Sequence, residues 1–335
     1  MNEKNIKKVY FIAPSTCLAR HDKRALNRTV GILRKSLGTR DVQLSPFLFS
    51  SDERIDHVTA SAEERAEDFK KAIREFDLII SVAGGTGAED LAFRFDRKYS
   101  RVIRGRRPIF LGFSDFTFLL NEIYYSSRVP VVYFPSLKLG RGNFQKILDL
   151  ISGGEIHYQG SRWLTPPPRR KFSGIPIGGN LSTFVNFLNR VEPPKLNWRR
   201  YVLFFEDIQI DVEDLHRLLA ALRRHKIFRK IRGIVIGSLS QHAKNGNHRK
   251  NQKEALKFVT TYLSDIIERR RKQGYPLPIL SVSNFGHNIT RDVMVVPIGG
   301  KVSISKSKKI TFRIGKKQAQ KRSLPASQKK IIMGT

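Results

Sequence analysis

Short apolar runs that stop abruptly at glycine, proline or serine, each followed by a stretch of helical spacing, fill the first half of this chain and limit the folds open to it. Residues 8–13 form one such run, closed by Pro14. Residues 24–37 follow, with Leu26, Val30, Leu33 and Leu37 along one helical side. Ser61 and Glu64 have capping-box spacing ahead of Ala66, Phe69, Ala72 and Ile73. A second run, residues 77–82, breaks at Gly84 and Gly85, and a third, residues 108–112, leads through Ser114 into a helical stretch at 116–125. Apolar strands too short to be helices, alternating with amphipathic helices, predict an α/β fold built on a parallel sheet covered on both faces.

The middle of the chain changes character. Gly153, Gly154, the triplet Pro166 to Pro168 and the basic run Arg169, Arg170 and Lys171 predict a linker over residues 153–171. This divides an N-terminal α/β domain (1–152) from a C-terminal α/β domain (172–314). In the latter, residues 200–206 read as a strand ending in carboxylates, and Val212, Leu215, Leu218, Leu219 and Leu222 as one face of a helix. Residues 233–237 and 279–282 read as further strands, and 240–252 as a polar surface loop. Residues 315–335 are polar and basic with few apolar side chains, the composition of a flexible tail.

With 335 residues, of which 40% are hydrophobic, the chain can bury a large core. One cysteine, Cys17, leaves no internal disulfide framework and no multi-cysteine zinc site. No run approaches the ~20 apolar residues of a membrane span, and the N-terminal run is too short for a secretory core, so the expected location is the cytoplasm with no membrane partner. The formal net charge of +33 raises nucleic acid as a partner. The basic residues are spread along the chain, however, and no zinc-finger spacing, aromatic RNA-binding motif or basic zipper accompanies them. Nucleic acid is therefore not read as the main partner.

Three places carry polar chemistry at strand ends. The segment Gly112-Phe113-Ser114-Asp115 has the layout of a nucleophile elbow, in which a sharp strand-to-helix turn lifts a serine oxygen above the sheet. Phe116 stands where the hydrolase elbow has its second glycine, and a plain helix cap by Ser114 or Asp115 is the competing reading. The turn Gly84-Gly85-Thr86-Gly87 can bring backbone N–H groups to an anion, or can be an ordinary tight turn; it matches neither the dinucleotide nor the P-loop pattern. Glu206-Asp207 and Gly286-His287 each follow an apolar run, where a carboxylate can orient an imidazole; caps, salt bridges and a solvated loop histidine are the bland alternatives.

In order and wording these motifs resemble the LD-carboxypeptidase family of serine peptidases, which includes muramoyl-tetrapeptide carboxypeptidases and microcin-immunity peptidases. Ile12-Ala13-Pro14-Ser15, Glu64 to Asp68 with Ser81 to Gly87, Gly112 to Asp115, Gly178-Gly179-Asn180-Leu181, Phe205-Glu206-Asp207, and Gly286-His287 with Pro297-Ile298-Gly299 occur in the family's sequence order. The resemblance implies a Rossmann-like, glutamine-amidotransferase-like N-terminal domain with a parallel sheet, and a smaller C-terminal α/β domain. It implies Ser114 as nucleophile, His287 as base and Glu206 as its orienter, with the amides of Gly85 and Asp115 as oxyanion hole. Thr86 and Asn180 fall on the substrate side; the family usually has a bulky or amide residue where Thr86 stands.

No metal or cofactor is implied. The implied substrate is an anionic murein tetrapeptide, cleaved at the L,D bond before its terminal D-alanine during peptidoglycan recycling, and the implied assembly is a homodimer. Two alternatives remain at this point. One is a microcin-immunity-like peptidase acting on peptidyl or aminoacyl nucleotides, with Trp163 stacking on a base or simply packed between the domains. The other is a basic binding protein of the same shape that has lost catalysis.

Overall fold

The computed structural model describes residues 6–315, apart from residues 40, 50–59, 83, 95, 96, 241–247 and 290. Its first sheet contains β1 (Val9–Ile12), β2 (Val42–Leu44), β3 (Leu78–Ser81), β4 (Ile109–Gly112) and β5 (Val131–Tyr133), all parallel, in the order β5-β4-β3-β1-β2. Strands β1, β3 and β4 are buried at every position. That is the reason their sequences are continuous apolar runs rather than alternating ones: helices cover both faces. The covering helices are α1 (Lys23–Leu37), α2 (Ala62–Glu75), α3 (Arg97–Arg106), α4 (Thr117–Ser127) and α5 (Arg141–Ile151). The expected capping box starts α2: Ser61 Oγ accepts from the Glu64 amide at 3.2 Å and the Glu64 carboxylate accepts from the Ser61 amide at 3.0 Å.

The second sheet has eight strands. Its centre is parallel, β8 (Phe172–Asn180), β9 (Tyr201–Ile208), β10 (Gly233–Ser240) and β11 (Ile279–Ser281). Antiparallel strands extend both flanks: β6 (Glu155–Gln159), β13 (Lys301–Ile304) and β14 (Lys309–Arg313) beyond β8, and β7 (Arg162–Trp163) beyond β11. Helices α6 (Leu181–Asn189), α7 (Val212–Arg224), α8 (Ile227–Lys230), α9 (His248–Tyr262) and α10 (Ser264–Lys272) complete this half.

Two expectations change here. The segment 153–171 is not all linker: its first part supplies the edge strands β6 and β7, while Pro166 to Pro168 lie outside regular structure. Residues 155–159 alternate exposed and buried, the two-faced pattern of an edge strand, and they pair with a strand about 150 residues later. The expected polar loop over 240–252 contains the start of α9 at His248, and residues 241–247 lie outside the described part. Residues 316–335 of the expected tail also lie outside it.

One late strand joins the two halves. After the loop that bears His287, β12 (Val296–Ile298) pairs antiparallel with β5 at the edge of the first sheet, before the chain re-enters the second sheet at β13. Pro297 fits there because an edge strand can leave one side of its ladder unmade. The carboxyl-terminal ends of β4 and β9 thereby face one another across a shared core. The contact is direct: Asn121 on α4 donates to the carbonyl of Gly178 at 2.9 Å, and the Asn180 amide donates to Thr117 Oγ1 at 3.0 Å.

Candidate active site

Strand β4 ends at Gly112, and the chain makes a short 3₁₀ turn over Ser114–Phe116 before α4. Ser114 sits in that turn with φ of +56°, the left-handed region. A non-glycine residue there costs about 1–2 kcal/mol, a strain the packed turn has to hold. Neither Ser114 nor Asp115 caps the helix: both the turn and α4 start without a side-chain cap. The cap reading is thus set aside and the elbow geometry is present.

The Ser114 Oγ lies 2.9 Å from Nε2 of His287. The other ring nitrogen, Nδ1, lies 2.7 Å from Oε2 of Glu206, and the backbone amide of His287 donates to the same oxygen at 3.1 Å. Glu206 is completely buried at the end of β9. Its second oxygen, Oε1, accepts from the phenol of Tyr133 at 2.6 Å. With the carboxylate oxygen as acceptor, Nδ1 is the donor, and Nε2 can then accept from the serine hydroxyl. This is the arrangement in which an imidazole can remove a hydroxyl proton and the carboxylate can stabilise the resulting positive charge.

Close backbone approach makes this geometry accessible. At Gly286, φ is +127° and a Cβ would lie 2.9 Å from Glu206 Oε2, so any side chain would press on the carboxylate that the next amide binds. At Gly84, a Cβ would lie 2.7 Å from Ser114 Oγ. The double-glycine turn therefore abuts the serine, as expected of a segment that lines the site. Thr86 on this turn is exposed, and its amide donates to Thr16 Oγ1 at 3.3 Å.

The Asp115 side chain fixes the two turns to each other. One oxygen accepts from Ser15 Oγ at 2.6 Å and from the Ala88 amide at 2.8 Å. Burial raises the pKa of this carboxyl, and its hydrogen bonds only partly offset that. Behind the glycine turn, the buried guanidinium of Arg65 donates to the carbonyl of Gly87 at 2.6 Å and to Asp90 at 2.9 Å.

Asn180, expected on the substrate side, makes its side-chain hydrogen bonds within the protein. It is buried, its Oδ1 accepts from the Thr183 amide at 3.1 Å as the N-cap of α6, and its Nδ2 donates to Asp207 at 2.7 Å. Both polar atoms are occupied in holding β8, α6 and β9 together. Asp207, next to Glu206, accepts from Ser182 and from its own neighbour Ile208, and burial raises its pKa. It is a structural acid facing away from His287.

Two contributors were not singled out in the sequence. Tyr133, fully buried, accepts weakly from the Ser114 amide at 3.4 Å while donating to Glu206. Burial, and then the charge of Glu206, hold its phenol well above the usual value, so it stays a donor. Lys138 donates to the carbonyls of His287 and Ile289, the latter at 2.8 Å, and so ties the histidine loop to the first half of the chain. Burial lowers its pKa. The Phe113 ring stands 4.4 Å from the imidazole, centre to centre, and walls its other side. Trp163 lies in β7, where its indole donates to the Lys306 carbonyl at 3.0 Å.

Among the described residues no group of three or more His, Cys, Asp or Glu side chains is placed to hold a metal ion. No described helix is long and apolar enough to cross a membrane.

Comparison with known proteins agrees with this architecture. Residues 9–134 match the LD-carboxypeptidase N-terminal domain and residues 173–304 the LD-carboxypeptidase C-terminal domain. A protein of Treponema pallidum (strain Nichols), provisionally named a carboxypeptidase, is 25% identical over 332 residues, 90% of each chain. The microcin C7 self-immunity protein MccF of Escherichia coli is 22% identical over 282 residues, 73% of this chain and 76% of its own. The solved structure of wild-type apo MccF superposes with a TM-score of 0.71 at 20% identity, covering 92% of this chain and 96% of that one. The muramoyltetrapeptide carboxypeptidase of Oxalobacter formigenes gives 0.68 at 20% identity, covering 92% and 99%. These structural likenesses bear on the fold: two α/β halves, the first built on a parallel sheet. With both of its domain models matched in order along the sequence, the chain belongs to the LD-carboxypeptidase family of peptidases.

Proposed function

We propose that this protein is a serine carboxypeptidase that cleaves the L,D bond before the terminal D-alanine of murein tetrapeptides, with Ser114, His287 and Glu206 as its triad. The observation that carries this reading is the unbroken hydrogen-bonded series from Ser114 Oγ through both ring nitrogens of His287 to the buried carboxylate of Glu206. Ser114 Oγ attacks the carbonyl carbon of the L,D bond while His287 Nε2 takes its proton. The negative charge on the carbonyl oxygen is met by the amides of Gly85 and Asp115, each worth a factor of about 100–1,000 in rate. The C–N bond then breaks as His287 returns the proton to the leaving amine of D-alanine. Water, deprotonated by His287, attacks the acyl-serine and releases the shortened peptide and the free hydroxyl.

The surroundings favour an anionic peptide. A cavity of about 460 Å³ adjoins Asn288 and Ile289, immediately after His287, and carries Arg162 and Lys253 among its serine-rich walls. The net charge of +33 adds long-range attraction for a substrate with several carboxylates, screened at physiological salt. Recycling of such peptides belongs to the cytoplasm, and the family suggests a homodimer.

The test is a side-by-side assay of the purified protein on a sugar-free tetrapeptide ending in D-alanine and on an aminoacyl sulfamoyl adenosine. D-alanine release with no turnover of the nucleotide conjugate is the expected result. Turnover of the conjugate alone would replace this substrate with the immunity-type one.

A further inference from the structure

The parallel strands of the second sheet have two ends, and the triad uses only one. At the opposite end, where β9, β10 and β11 begin, a pocket of about 450 Å³ opens. Its charged lining is Arg199, Arg229, Lys230, Arg232 and Arg270, with no carboxylate among the lining residues. Elsewhere on this half some exposed arginines are paired, Arg223 with Asp265 and Arg271 with Glu268. Among the described residues no ion pair is formed by Arg199, Arg229, Lys230 or Arg232, all of them exposed. Gathering unpaired like charges around a concave wall is unfavourable without a counter-ion, and it focuses positive potential there.

The pocket is also built. Arg270 is buried at its back, donating to the carbonyls of Phe228, Ile231, Tyr275 and Pro276, and burial lowers its pKa only to about 10, so it stays charged at neutral pH. Arg232 is oriented by a 3.0 Å bond from Nε to the carbonyl of Arg199, which leaves its terminal nitrogens for a ligand. One side of the Tyr275 ring rests near the Arg270 guanidinium, 5.6 Å from the ring centre, while the residue is 50% exposed. Phe172, Pro276 and Pro278 supply the apolar remainder. A fork of cations beside a pinned, half-open aromatic ring suits a ligand that is both phosphorylated and planar.

We propose that this pocket binds a nucleotide, free or as a unit of a single strand, on the face opposite the triad. Its phosphate oxygens sit on Arg199, Arg229, Lys230 and Arg232, and its base lies against the open side of Tyr275. The site is independent of which peptide the triad cleaves.

The experiment is equilibrium binding to the full chain of three probes: ATP, inorganic phosphate and a fluorescein-labelled single-stranded 12-mer, at low and at physiological salt. The variants are an Arg229→Ala/Lys230→Ala pair, Tyr275→Ala, and a charge-matched control, Lys301→Ala/Lys309→Ala, at exposed positions of the flank strands β13 and β14. All of these side chains are exposed, and thermal melting checks that each variant is folded. The expected result is about a tenfold or greater loss of affinity for ATP or the strand in both pocket variants, with less than about a twofold loss in the control. For the strand, the Arg229/Lys230 pair should also flatten the dependence of log affinity on log salt by about one unit. A loss seen with ATP alone identifies a free nucleotide, and one seen with the 12-mer alone identifies a strand. Equal losses in pocket and control variants, an unchanged affinity in Tyr275→Ala with phosphate bound as well as ATP, or no binding of any probe would overturn the proposal.

Discussion

The phenol of Tyr133 and the carboxylate of Glu206 meet at 2.6 Å although one ends a strand of the first sheet and the other lies in the second. This buried contact joins the two halves of the molecule at the atom that orients His287. It also reaches the nucleophile turn through the Ser114 amide. Tyr133→Phe removes the donor and leaves a buried carboxylate oxygen short of a partner, a loss of about 1–3 kcal/mol in stability. The expected kinetic effect is a fall of about tenfold or more in kcat with little change in KM, because the phenol is out of reach of substrate. Urea melts and steady-state kinetics on the same preparation measure both.

Gly84→Ala tests the approach of the double-glycine turn. The added methyl would stand 2.6 Å from Ser114 Cβ and 2.7 Å from its Oγ, so the serine or the turn has to move. Misplacing a nucleophile by about 1 Å costs roughly a hundredfold in rate. The rate at which a fluorophosphonate phosphonylates Ser114 with loss of fluoride, which needs no knowledge of the natural substrate, reads this directly.

Asp115→Asn separates the backbone of this residue from its side chain. Both donors to the carboxylate, Ser15 Oγ and the Ala88 amide, meet the same oxygen, which the amide oxygen of Asn can replace. Because burial raises the folded-state pKa of Asp115 above its unfolded value, folding favours the protonated form. Its contribution to stability is therefore greatest below the unfolded pKa, ~3.9, and is lost as pH rises through the raised folded pKa. The stability of Asp115→Asn relative to wild type should rise from about pH 4 to pH 7, with activity retained because the backbone amide proposed for the oxyanion is unchanged. Denaturant titrations across that range measure the difference.

Asn180→Ala distinguishes a scaffold role from a substrate one. Loss of the α6 cap and of the bond to Asp207 should lower stability by about 1–3 kcal/mol. KM for any accepted peptide should stay within about twofold of wild type. A large rise in KM without loss of stability would restore Asn180 to the substrate side.

The readable parts of this molecule were those governed by local patterns. The run at 108–112 is apolar throughout because β4 is buried on both faces, and the Ser61–Glu64 box announces α2 by spacing alone. What pairing at a distance decides was harder to read. Residues 155–159 do alternate, but their partner is β14, so the glycines before and the prolines after made them resemble a linker. Asn180 follows two glycines at a strand end, a place that suggests ligand contact, yet Asn-Leu-Ser-Thr there is also an N-cap signal and the cap is what forms. Nothing in the run of Val131, Val132, Tyr133 and Phe134 marks its tyrosine as special, because the acid it binds lies 73 residues further on. Motif order singles out Ser114, Glu206 and His287, while the distances between them depend on β12 and Lys138 drawing the His287 loop against the first sheet.

The most direct test of the account is single-turnover release of D-alanine from a murein tetrapeptide by wild type and by Ser114→Ala, followed by mass spectrometry, with the acyl-enzyme trapped by acid quench. The account predicts release by wild type, a transient peptide adduct on Ser114, and a rate roughly a million-fold lower in the variant. Equal release by both proteins, or an adduct on any other residue, would contradict the assignment of Ser114 as the nucleophile.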